Sequence, residues 1–246
     1  MKLYDDVILA WNELLKKYSD QARFFENSSS QWQDIGKKNM VLRSEMAYEL
    51  GGNESQLFAI GGTAITSNED FVKQDEIVLY GKDLTEISSE LPYARLTICR
   101  VTSDSMGEGE KLYKAIKNIE YCRYHVNPEG FMTRVSSLQN RESVRVSKEA
   151  IQKGISFSDV GSLSLKSLHK DEKVIAAKII FINLPDFPYT ELEELVKKAD
   201  DITKTIDHIA SNALMDCNTC GLQKICDEVE GMKELHFGSK SGNTDY

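Results

Sequence analysis

Leu3, Val7, Trp11, Leu14, Leu15 and Tyr18 recur at helical spacing, with Asp5, Asp6, Asn12 and Lys16 on the other side. Residues three and four apart share a helix face, so this pattern predicts an amphipathic helix over 3–18. The stretch 25–40 is polar and reads as a linker. Residues 1–40 are therefore expected to form a helix and linker appended to the main body.

From about 45 to 137 the apolar runs shorten and become β-rich. Residues 57–60, 76–80 and 94–101 are predicted strands, punctuated as turns by Gly51-Gly52, Gly61-Gly62 and Gly81. In the third run Arg95, Thr97, Cys99 and Val101 alternate with Leu96, Ile98 and Arg100, the pattern of a strand with one buried face. Leu112, Ile116 and Ile119 mark a helix over 109–125. Ser147 is placed to cap a short helix that Gly154 ends.

The last third is plainer. Val160, Leu163, Leu165 and Leu168 define a helix over 158–168, and the apolar run 174–182 suits a central strand. Pro185 and Pro188 stop that strand. Leu192, Leu195, Val196, Ala199, Ile202, Ile206 and Ile209 then line a long helix over 190–214. Helices and strands alternate without a strict βαβ rhythm, which predicts an α+β fold: a mixed sheet with packed helices. The N-terminal amphipathic helix would precede it and a C-terminal cysteine-rich, metal-binding segment would follow. The expected units are 1–40, an α+β domain over 41–214, a Cys/His segment over 215–238 and a polar tail over 239–246.

Charge and composition narrow the function classes. Thirty-nine acidic against thirty basic side chains leave a net charge of −9, a field that repels nucleic-acid backbones. No apolar run reaches membrane-spanning length, and no signal-peptide pattern opens the chain. Three of the five cysteines cluster rather than forming a spread disulfide framework, which points to the cytoplasm. Serine-nucleophile, Walker A and dinucleotide-binding motifs are missing.

The cluster carries the chemistry. Cys217, Cys220, Cys226 and His236 are spaced C-x2-C-x5-C-x9-H. Two thiolates two residues apart grip one metal from a single turn; a third thiolate and an imidazole complete four ligands. Such a set suits zinc and an iron–sulfur cluster equally. Cys99 reads as core, Cys122 ends a helix with no partner in view, and His125, His169 and His208 receive no role.

Three stretches resemble acetyl-CoA synthase, the nickel–iron–sulfur enzyme of the CO dehydrogenase/acetyl-CoA synthase complex and its β subunit in archaea. They are Ala47-Tyr-Glu-Leu-Gly-Gly-Asn53, then Arg145-Val-Ser-Lys-Glu-Ala-Ile-Gln-Lys-Gly154 with Phe157 and Gly161, then the ordered strand, long helix and cysteine cluster. The resemblance spans 45–236 and matches the family's central domain and the opening of its cluster domain. It implies a [4Fe–4S] cluster at Cys217, Cys220, Cys226 and His236, with His236 standing at the position of the family's fourth cysteine. Zinc remains the alternative cofactor. The sequence ends ten residues after His236, before any counterpart of the family's nickel-binding Cys-Gly-Cys. The family's N-terminal docking domain has no counterpart either. The expectation is therefore an iron–sulfur protein in an accessory, electron-transfer or binding role in one-carbon metabolism, not a complete acetyl-CoA synthase. The implied partners are a corrinoid protein, a CO dehydrogenase-type or other redox protein, and CoA. Arg141 and Arg145 are the candidates for CoA phosphate contacts. The alternative is a zinc-stabilised, non-catalytic module that binds protein or CoA.

Overall fold

Two sheets organise the described residues. The computed structural model describes residues 2–27, 31–38, 43–52, 57–136, 141–211, 221–232 and 235. Strands β1 (Ala22–Phe25), β4 (Glu76–Tyr80), β8 (Val174–Ile182), β5 (Tyr93–Val101) and β3 (Ala59–Thr66) lie side by side in that order. The sheet is mixed: β4 runs parallel to β8, and β3 runs parallel to β5. β1–β4 and β5–β8 are antiparallel. A second, antiparallel sheet sets β7 (Arg141–Ser147) between β2 (Ala47–Leu50) and β6 (Phe131–Ser136). The α+β class and the central place of the 174–182 strand are as expected.

Helices cover the large sheet on both sides. Helices α1 (Asp5–Lys16) and α5 (Tyr189–Ala210) pack on one face, over β3. Helix α4 (Phe157–Leu168) covers β4 and β8 on the other, where the small sheet also lies against β3 and β5. Helix α2 (Glu110–Cys122) bridges α4 and α5. Ser147 caps α3 (Lys148–Gln152) by accepting from the Glu149 and Ala150 amides, as its sequence position predicts. Ser156 and Asp159 form a capping box that starts α4. Among the described residues no helix is long and apolar enough to cross a membrane.

Three expectations change. The leading helix is no appendage: Tyr4, Val7, Ile8, Trp11, Leu14 and Leu15 are all buried, and Tyr4 Oη lies 2.8 Å from Thr203 Oγ1 on α5. The sequence places apolar residues on one side of α1, and the long helix α5 offers that side its partner. Nor do Gly61-Gly62 form a turn. They lie inside β3, and being adjacent they face opposite sides of the sheet. A Cβ on Gly61 would lie 2.7 Å from the Glu142 Cβ of β7, and one on Gly62 would lie 2.9 Å from Val196 of α5. The glycines let the strand be approached closely from both sides. Finally, β5 is buried on both faces, Arg95 included. Gly51 and Gly81 do turn the chain, both at positive φ.

Candidate functional site

Cys226 comes from α6 (Gln223–Glu228), the last helix among the described residues. Ile225, Val229 and Met232 fall at i, i+4 and i+7, and all three are buried. This one-sided stripe seats the segment on the body, where α6 meets α5 and Glu228 Oε2 lies 3.5 Å from Lys198 Nζ. Cys226 follows Ile225 and is half-buried against the same core. Its three proposed fellow ligands, Cys217, Cys220 and His236, lie outside the described residues. Among the described residues no three His, Cys, Asp or Glu side chains are grouped to hold a metal.

The remaining cysteines stand apart in character. Cys99 is fully buried on β5, and burial pushes its thiol well above the ordinary range. Cys122 ends α2, where burial also raises its pKa and its Sγ lies 3.4 Å from the Asn118 carbonyl oxygen. His169, given no role from sequence, has a partner: its Nε2 lies 2.8 Å from Asp75 Oδ2. Asp75 Oδ1 also accepts from the Ala177 amide, so the pair ties the end of α4 to β8.

The matched stretch 145–154 begins on a strand rather than at a helix start. Along β7, Glu142, Val144 and Val146 point inward while Arg141, Ser143, Arg145 and Ser147 alternate with them on the outer face. Register sets Glu49 of β2 opposite Arg145, whose Nε donates to Glu49 Oε2 at 2.8 Å. Arg134 of β6 donates to the other oxygen of Glu49 at 2.9 Å. Arg141 shares this face. Two guanidiniums thus share a single carboxylate, and a third lies further along the same sheet surface of an otherwise acidic protein. Such a surface favours phosphate or carboxylate groups.

The inward face of β7 holds a residue that sequence reading passed over. Glu142 is fully buried, with Oε1 2.7 Å from Arg95 Nε and Oε2 accepting from Arg95 Nη2 at 3.1 Å. Tyr93, two residues before Arg95, is buried beside them; burial and then the Glu142 charge push its hydroxyl far above the usual tyrosine range. The signal was present: Glu142 occupies the apolar phase of a strand whose next two inward residues are valines. The pair joins the two sheets and is enclosed, so its part is structural.

The matched segments now have a place. β2, β7, α3 and α4 carry the stretches 47–52 and 145–161, which supply two of the three strands of the small sheet and part of its junction with the large one. A sequence model of the CO dehydrogenase/acetyl-CoA synthase complex beta subunit matches residues 35–185. The chain belongs to this family. The match takes in both sheets except β1, and it stops before α5 and all four candidate metal ligands. None of the curated proteins matches the chain.

Proposed function

We propose that this family member is an iron–sulfur protein with an accessory or electron-transfer role in one-carbon metabolism. The reading is carried by continuity: the family match ends at residue 185, and one long helix then leads to Cys217, Cys220, Cys226 and His236. Three thiolates and an imidazole are a fitting donor set for a [4Fe–4S] cluster. The seating of α6 supports the fit, because Cys226 belongs to a segment anchored on the body. A bound cluster would supply one-electron transfer, and imidazole in place of a fourth thiolate would raise its potential. The chain's own contribution is positional: Ile225, Val229 and Met232 hold the Cys226 segment against α5.

A CO dehydrogenase-type protein and a corrinoid methyl donor are the expected macromolecular partners, since the family is that of a complex subunit. CoA is the expected small ligand, its phosphates meeting Arg141, Arg134 and Arg145 on the outer face of the small sheet. Arg141 is the residue to test first, because Glu49 already engages the other two.

Anaerobic purification tests the metal. Brown protein with iron and acid-labile sulfide in equal amounts supports the reading. Colourless protein holding one zinc per chain replaces it with a zinc-clamped binding module, and folded protein without metal removes both. For CoA, Arg141→Ala is expected to weaken binding about tenfold, the size of one lost charge-assisted contact. Unchanged affinity removes Arg141 from the site.

A further inference from the structure

The carboxyl ends of β4 and β8, the parallel pair at the heart of the large sheet, finish side by side at Tyr80 and Ile182. The crevice beyond such ends is where open sheets often take ligands. A cavity of about 390 Å³ lies there, at the small end of the range for small-molecule sites. Ala22, Leu91, Leu184 and Pro185 give it apolar walls.

Its polar rim is built with care. Gly81 turns the chain at a φ of +125°, and any Cβ there would collide with Asn183 Oδ1. Asn183 is 1% exposed and clamps the Lys82 main chain from both sides. It accepts from the Lys82 amide at 2.8 Å and donates to the Lys82 carbonyl at 2.8 Å. The Lys82 main chain is thereby fixed at the mouth. Arg23 also lines the cavity, but Glu86 holds its guanidinium at 2.6 and 3.3 Å and cancels its charge. Lys82 and Asp20 form no ion pair among the described residues, so the rim offers one cation and one anion over an apolar floor.

We propose that this cavity binds a small zwitterion with an apolar body, of the class of apolar α-amino acids. Its carboxylate would meet Lys82, its ammonium Asp20, and its side chain the apolar walls. The inference is independent of the metal segment and of the family's chemistry.

The test is an NMR titration of the full chain, following the amides of Gly81, Lys82 and Asn183. Norleucine is the probe; hexanoate and hexylamine each keep only one of its charges. Norleucine is expected to give saturable shifts, with both single-charge analogues binding about three- to fivefold more weakly, as befits exposed ion contacts. Lys82→Met and Asp20→Asn should each lower norleucine affinity by a similar factor. Both residues are exposed, so the melting temperature should stay unchanged. Three results would overturn the proposal: no saturable shift, hexanoate matching norleucine, or both variants binding as the parent does.

Discussion

Arg95 and Glu142 meet 2.7 Å apart with side chains only 3% and 0% exposed, joining β5 of the large sheet to β7 of the small one. They are 47 residues apart in sequence, and each sets a charge into a buried strand face. A buried pair of this kind adds little net stability over an apolar equivalent, but losing one partner strands the other.

Glu142→Gln should therefore cost about 3–5 kcal/mol, because the Arg95 charge stays buried without its carboxylate. Urea unfolding measures it. A loss under about 1 kcal/mol would mean that water reaches the pair and that the junction is looser than the geometry implies.

Gly61→Ala should destabilise by about 1–3 kcal/mol through overpacking. The new methyl would stand 2.7 Å from Glu142 Cβ and 2.8 Å from its Oε2. If the variant melts at the parent's temperature, the two sheets can separate slightly at no cost.

Trp11→Ala tests whether α1 belongs to the body. Trp11 is fully buried, and its ring would crowd a Cβ on Gly62 of β3. The expected loss is about 3–5 kcal/mol in a single unfolding transition. A small loss, or a separate early transition, would restore the picture of an appended helix.

Burial raises the Asp83 carboxyl pKa, against the opposing hydrogen bonds from the Phe157 and Leu84 amides. The unfolded carboxyl titrates at about 3.9. The native state holds its proton to a higher pH, so this group's contribution is fully present below the unfolded pKa. It is lost as pH rises through the raised native value. The stability advantage of the parent over Asp83→Asn should shrink as pH climbs from 3.5 to 6. An advantage that grows over this interval would mean that the two amide bonds outweigh burial.

Metal content separates the cysteines. Cys220→Ser should lose the metal while Cys99→Ser retains it; equal loss would disprove the ligand assignment. Iodoacetamide should leave Cys99 unmodified in the folded protein, since the thiol is buried and held protonated.

The elements with their own periodicity were legible in the sequence. The apolar stripes of α1, α2, α4 and α5, the Ser147 cap and the run 174–182 all appear where the pattern puts them. The stretches 47–53 and 145–154 pointed to the family that the match over 35–185 establishes. What the pattern could not carry was pairing. Gly61-Gly62 looks like a turn because glycine marks both turns and places of close approach; only the neighbours on each face of β3 separate the two. Arg145 shows its place in a strand only through Glu49, its register partner on β2. Cys226 is placed on the body, while Cys217, Cys220 and His236 fall outside the described residues.

Local periodicity, caps and ligand spacing are short-range properties, so the sequence by itself determined the main helices, the central strand, the α+β class and the candidate donor set. Which strands adjoin, which charge meets which, and where a cavity opens depend on residues tens to hundreds of positions apart. Tertiary structure alone decided those: Arg95 against Glu142, Tyr4 against Thr203, and Lys82 held at a cavity mouth by Asn183. The physical reason is that burial makes a contact energetically costly to lose, and burial is a property of the whole fold.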